Sequence, residues 1–340
     1  MRVRPRRRAG KVQRDALLSR RVPETFTEFI RASSGWHQLW LLIISTLVFL
    51  MSTAPLEVQR RLINDALKGN EYQPILILAV IYALLALGEG VLKLVMNMYR
   101  AWISEHAVRS LRRSIDALLN GRAAHQGEAD QTGLGVSMIL AEAEPIGGFV
   151  GSSVSEPILQ AGILCSVLAY MIYLQPMMAL VALAVFSPQV IFLPLVQRAI
   201  NSRVKQKIKT LRKVSIAVTT ETVNEDPQVQ RRRIDRVLDL NLGIFKLKFS
   251  SSFAMNLLTH LGTASVLGLG GWYVVQGETE IGTVVAFASG LAKITDPWRD
   301  LVAWYREMHV ARAKYFLFST AVQQMLAGAE TAAEPAISRG

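Results

Sequence analysis

Four ionisable residues, Lys293, Asp296, Arg299 and Asp300, stand three, three and one positions apart at the end of an apolar run that begins near Ile281. Spacings of three and four place side chains on one face of a helix. An ionisable group at bilayer depth costs about 2.5–3.5 kcal/mol on insertion scales and is tolerated mainly where it is paired or faces water. Such a stripe is expected to line an aqueous path between helices, with Lys293 and Asp296 as substrate-cavity residues. Asn256, Thr259 and His260 of the preceding apolar segment are candidates for the same cavity, or equally for hydrogen bonds between helices. A second reading stays open. Counted from Ile281, the four charges lie about 18 to 29 Å along the helix, so Arg299 and Asp300 could simply reach the membrane interface.

A second charged site lies in an earlier apolar segment. Glu89 and Lys93 are spaced i, i+4 with the acid first, the favourable order for a helical ion pair. They read either as a self-neutralised pair or as a proton or substrate site. Catalytic chemistry has little to stand on. The five histidines, His37, His106, His125, His260 and His309, show no metal-ligand spacing. Neither a G-x-S-x-G nor an H-E-x-x-H pattern occurs. The single cysteine, Cys165, lies inside an apolar segment and allows no disulfide framework. The expectation is a chain without metal, cofactor or enzymatic activity of its own.

The elements that must position these charges are membrane helices. Of 340 residues 51% are hydrophobic, and six stretches approach the roughly 20 apolar residues that cross about 30 Å of hydrocarbon. They are Trp36 to Ala54, Pro74 to Met98, Ile158 to Leu174, Met177 to Val196, Ser250 to Val275, and the run from Ile281. Gln175-Pro176 marks a tight turn between the third and fourth. Trp298 and Trp304 read as packing or interface anchors.

A net charge of +12 could indicate nucleic acid, but its distribution points to a membrane. Ten Lys/Arg against three Asp/Glu precede the first segment, and thirteen against five separate the fourth from the fifth. The connections on the other side are poor in positive charge, so the positive-inside rule puts both termini in the cytoplasm. The opening MRVRPRRRAGKVQR has no apolar stretch directly behind it; it reads as a cytoplasmic arm touching anionic lipid rather than as a secretory signal. Apolar periodicity continues past the second segment through YRAWISEHAVRSLRRSIDALLN and past the fourth through QRAINSRVKQKIKTLRKVSIAV. Two long helical cytoplasmic loops therefore join segments two to three and four to five.

Several stretches carry a family resemblance. APLEVQRRLINDAL after the first segment, LRRSIDALLN followed by TGLGVSMILAEAEPI, TTETV with Glu221, and GGWYVVQGETEIGTVVAFASGLAKITDPWRDL with Pro297 resemble, in order and spacing, the transmembrane domain of exporter-type (type IV) ABC transporters. The resemblance covers about residues 28 to 317. It implies an all-α membrane domain of six spans over residues 28–318, between a basic arm (1–27) and a flexible tail (319–340). It also implies a permease that works by alternating access as a homo- or heterodimer, in a bacterial inner membrane.

The family's energy source is ATP with magnesium on a nucleotide-binding domain. No G-x-x-x-x-G-K-S/T phosphate cradle occurs in this sequence, so that chemistry is expected on a separate ATPase subunit. By the family's plan that partner meets coupling helices at the loop tips. They are expected near His125, Gln126 and Glu128 in the first loop, and near Lys209, Arg212, Lys213 and Glu221 in the second. The first tip departs from the pattern, having Ala123, Ala124 and His125 where aromatic residues are frequent. Two alternatives are a proton-driven peptide-type permease with the same membrane fold, in which Glu89 carries the proton, and a non-transporting or truncated scaffold. Membrane lipid is an expected partner and nucleic acid is not.

Overall fold

The computed structural model describes residue 23 and residues 25–68, 72–123, 143–219 and 227–333. These residues form eight helices, and no strand occurs among them. In chain order they are α1 (Phe26–Ser34), α2 (His37–Lys68), α3 (Tyr72–Ala123), α4 (Ala143–Ser152), α5 (Ser155–Leu174), α6 (Pro176–Thr219), α7 (Pro227–Val275) and α8 (Ile281–Ala333). The protein is all-α.

Helix α1 is delimited by its own sequence. The Thr25 hydroxyl accepts the Glu28 N–H at 3.3 Å, and the Glu28 carboxylate accepts the Thr25 N–H at 3.4 Å. This reciprocal capping box satisfies donors that a helix start otherwise leaves open. Gly35, with φ +36°, ends the helix by donating to the Arg31 carbonyl at 2.9 Å. Phe26, Phe29 and Ile30 fall on one face, and the two phenylalanines are buried.

Length separates the other helices into two kinds. α3, α6, α7 and α8 run for 52, 44, 49 and 53 residues, which at 1.5 Å per residue is about 65–80 Å. A bilayer core needs only about 30 Å, so each carries a long extension beyond an apolar portion. Four helices, α2, α3, α5 and α6, are long and apolar enough to cross a membrane, with mean hydropathy of 2.1, 2.5, 1.8 and 2.2 over their most apolar windows. The expected fifth and sixth segments lie in α7 and α8 and fall below that apolarity among the described residues. Gly, Ser and Thr dilute the apolar part of α7, and the Lys293 to Asp300 charges that of α8. A count of six spans rests on helix length, not on hydropathy.

α8 runs to Ala333, past the boundary at 318 expected for the helical domain, and α4 starts only after the stretch 124–142. Gln175 is the sole non-helical residue between α5 and α6, where the tight turn was expected. α6 contains Pro188 and Pro194, and α8 contains Pro297.

Two compact units are built from these helices. The first comprises segments 1–51, 87–162 and 303–340. Its core gathers Phe26 and Phe29 of α1, Leu41 of α2, Ile103 and Leu111 of α3, Ile146 and Phe149 of α4, and Tyr315 and Phe318 of α8. The Phe29 and Tyr315 rings stack at 5.1 Å, and the Tyr315 hydroxyl donates to the Pro23 carbonyl at 2.5 Å. Burial, and then the charge of Glu28, push the Tyr315 hydroxyl above the usual tyrosine range. Trp304 packs on Phe149 at 6.2 Å, which makes it a packing residue, and its buried indole N–H has no partner among the described residues.

The second unit comprises segments 52–86 and 163–302. α6 packs along α7, and Val167, Met171, Met178, Phe287, Leu291 and Ile294 are buried. The turn from α7 to α8 is a Schellman close: Glu278 N–H donates to the Tyr273 carbonyl at 2.9 Å and Gly277 N–H to Val274 at 3.0 Å. Gly277 takes φ +77°, a conformation glycine adopts without the penalty other residues carry. The polar stretch QGETE makes this turn.

Candidate functional site

The charged stripe of α8 divides into two environments. Lys293 is half-buried, and its ammonium donates to the backbone carbonyl of Ser52 on α2. Pro55 has no N–H to give, so in the α2 hydrogen-bond ladder the carbonyl of Met51, next to Ser52, lacks its usual i+4 donor. Asp296 faces out with 69% of its side chain exposed and accepts from Arg299 at 2.8 Å. One residue of the expected cavity pair thus grips protein backbone, while the other is held in an exposed i, i+3 ion pair.

On α7 the three polar candidates also separate. The Thr259 hydroxyl lies 3.5 Å from that of Thr295 on α8, joining the two helices. Asn256 and His260, one turn apart, are exposed. The Trp298 indole N–H is buried without a partner among the described residues.

Glu89 and Lys93 meet as the sequence spacing suggests, with Nζ 2.7 Å from Oε1. Glu89 keeps 13% of its side chain exposed and Lys93 43%. Of the loop-tip candidates, Lys209 and Lys213 are exposed on α6. They and Arg212 stand on one continuous helix that runs to Thr219, where the family's plan led to the expectation of a short coupling helix. His125, Gln126, Glu128 and Glu221 lie outside the described residues.

Two polar constellations went unremarked in the sequence. The first starts at Glu57, Arg60, Arg61 and Asn64 on α2, at i, i+3, i+4 and i+7, the spacing of one helical face. The Glu57 carboxylate accepts from Arg60 Nε and Nη2, both at 2.9 Å, from Arg61 Nε at 2.6 Å and from the Tyr170 hydroxyl of α5 at 2.7 Å. Arg60 also approaches Glu280 of the α7–α8 turn at 3.5 Å. Asn64 donates to Glu280 at 2.5 Å and accepts the Gly282 N–H at 2.8 Å. Gly282 lies in the first turn of α8, where backbone N–H groups have no partner within the helix. A Cβ there would collide with the Arg60 carbonyl and the Asn64 side chain. The network fastens α2 to α5 and to the start of α8.

The second constellation pairs Arg100 of α3 with Glu156 of α5, side chains 13% and 20% exposed. Gln160 also donates to Glu156, at 2.7 Å. The other edge of the guanidinium, Nε and Nη2, is buried with no partner among the described residues. The separation of 56 residues hides this pair from any reading of local spacing.

Long helices whose apolar portions are poor in charge and continue into polar extensions are the build of a membrane transporter domain. The family model for the ABC transporter transmembrane region matches residues 39–225, more than half of the chain. The chain belongs to this family. It is an exporter-type ABC transmembrane domain, an integral membrane protein and the membrane subunit of a transporter. No curated protein matches it. The matched stretch of the ABC domain contains Glu89, Lys93, the Glu57 network up to Asn64, and both sets of loop-tip candidates. Glu280, Lys293, Asp296 and the α7 polar residues lie beyond it.

Proposed function

We propose that this ABC transmembrane domain moves its substrate by alternating access, driven by ATP on a separate nucleotide-binding subunit. The observation that carries the reading is the length of α3, α6, α7 and α8, each extending far beyond what a bilayer requires. Extensions of this length turn a small displacement at their ends into a change in helix packing within the membrane. They offer a soluble partner a lever. A ligand shifts such an equilibrium only by binding the two states with different affinity, and ATP-dependent closure of a partner subunit against the extensions supplies that difference.

In this scheme two copies, or this chain and a related one, form the pathway in a bacterial inner membrane, with both termini cytoplasmic as the clustering of Lys and Arg suggests. Lys209 and Lys213, exposed on the α6 extension, are placed to meet the partner, and the chain itself contributes no catalytic group. Lys293 marks the level at which the path is expected to carry charge. A cycle driven by protons through Glu89 draws less support, because Lys93 already occupies that carboxylate at 2.7 Å.

Purification from native membranes in mild detergent decides between them. An ATP-binding subunit retained with the chain, and ATPase activity that Lys209→Glu/Lys213→Glu uncouples or abolishes, is the expected result. Flux in vesicles that follows a proton gradient and ignores ATP would overturn it.

A further inference from the structure

A cavity of about 390 Å³ opens between α1 and the extension of α3, inside the first unit. This is within the range of about 300–1,000 Å³ that ligand pockets occupy. Buried Phe29 forms its apolar side. Ser33 and Ser110 supply hydroxyls, and His106, Arg109 and Arg113 supply nitrogen donors. Arg112 alone among the neighbouring arginines approaches a carboxylate, Glu144 at 3.9 Å. Arg109 and Arg113 have no ion pair or hydrogen bond among the described residues. The α3 carboxylates nearest in sequence, Glu105 and Asp116, do not line the cavity. Two guanidinium groups free to make bidentate bonds, beside hydroxyl donors, suit a phosphate group.

The surroundings place the cavity at the edge of a membrane. α1 turns Phe26 and Phe29 into the protein core and leaves Thr27, Glu28 and Arg31 exposed. Trp36 and Trp40 follow it, 74% and 52% exposed. On α3, Tyr99 and Trp102 stack with centroids 6.0 Å apart, and His106 lies 4.0 Å from the Trp102 ring. The exposed rings of Trp36, Trp40 and Trp102 form a belt of the kind that marks the headgroup level. Arg109 stands seven residues, about 10 Å, beyond Trp102, where a long side chain can reach back to the headgroups.

We propose that this cavity is a site for the phosphate-bearing headgroup of an anionic phospholipid, which pins α1 to the α3 extension from the membrane side. The site does not depend on a nucleotide-binding partner and stands or falls separately from the ATP-driven reading.

The experiment is native mass spectrometry of the full chain in detergent, with phosphatidylglycerol and phosphatidylcholine in competition. The wild type retains phosphatidylglycerol preferentially. Arg109→Gln/Arg113→Gln weakens that retention about thirtyfold, roughly fivefold for each guanidinium lost. Lys246→Gln/Lys248→Gln on α7 removes the same charge from residues that do not line the cavity and changes it less than about twofold. Ala32→Trp fills the cavity, of which Ala32 is a lining residue, keeps both arginines, and also loses the preference. Equal loss in the two charge-deleted variants would show diffuse attraction and overturn the site. Retention unchanged in Ala32→Trp would do the same. Displacement of the lipid by an equal concentration of inorganic phosphate would reassign the cavity to the free ion.

Discussion

The Glu57 network and the Arg100–Glu156 pair are both clusters of charge joining helices with apolar runs, yet they differ in how completely their groups are satisfied. Glu57 takes four donors, and Asn64 is used at both ends of its amide. Arg100 uses one nitrogen on Glu156 and buries the other two unpaired. The difference follows from what the facing side chains offer. Glu57 meets donors from Arg60 and Arg61 on its own helix and from Tyr170 on α5, and Asn64 adds the spare backbone N–H of Gly282 in the first turn of α8. Arg100 in mid-α3 meets the single carboxylate of Glu156 in the first turn of α5. One carboxylate does not complete a whole guanidinium, so two of its nitrogens stay without acceptors among the described residues.

Breaking the incomplete pair should give the largest effect. Removing one partner of a buried ion pair leaves an uncompensated charge and costs about 3–5 kcal/mol, whereas replacing both by apolar residues of similar size is often neutral. Glu156→Gln should therefore lower the thermal unfolding midpoint in detergent markedly, and Arg100→Met/Glu156→Met should recover most of the loss. A double variant as unstable as the single one would mean that the charges themselves are not what matters there.

Next in size is Glu57→Gln. Its bonds are charge-assisted, each worth about 1.5–3 kcal/mol when made. The carboxylate is 29% exposed and Arg61 63% exposed, so water compensates part of the loss and about 1–3 kcal/mol is expected. Tyr170→Phe removes one donor and should cost about 0.5–1.5 kcal/mol. The two changes share a bond, so the double variant should cost less than their sum. Strict additivity, measured by chemical unfolding, would show that the contact with Tyr170 contributes nothing.

Much of this was legible in the chain. Apolar runs gave the helices, Gln175-Pro176 gave the turn between α5 and α6, and the i, i+4 spacing gave the Glu89–Lys93 pair. The Glu57 face was equally readable, since Glu57, Arg60, Arg61 and Asn64 fall on one side of a helix, but their partners Tyr170 and Glu280 are 113 and 223 positions from Glu57 and no local pattern names them. The opposite happened with Lys293 and Asp296. Spacing put them on one face, and they share it, but helical periodicity cannot tell that one rotates toward a backbone carbonyl of α2 while the other is drawn outward to Arg299. The coupling helix expected near Lys209, Arg212 and Lys213 shows another limit, because the resemblance suggested it and no local pattern there separates a short helix from the continuous α6.

Asp296 with Arg299 tests the exposed extreme of the comparison. Both side chains are more than half exposed, and exposed pairs are worth about 0.2–1 kcal/mol. Asp296→Asn should shift the unfolding midpoint barely beyond error, and added salt should erase what shift there is. A substantial fall in transport at unchanged stability would instead make Asp296 part of the substrate path.

The smallest effect on stability is expected at Glu89 and Lys93, and there the sign of the functional result carries the information. A helical i, i+4 pair contributes about 0.2–0.5 kcal/mol. Glu89 is mostly buried and Lys93 is not, so the pair can follow the helix through a conformational cycle without exchanging partners. If it is a local brace, Glu89→Gln leaves ATP-driven transport in vesicles within about twofold of wild type, and Lys93→Gln behaves alike. If Glu89 instead carries a proton, Glu89→Gln abolishes flux while the fold persists, and imposing a proton gradient no longer drives uptake. The pair would then be charge retained for function and not for stability.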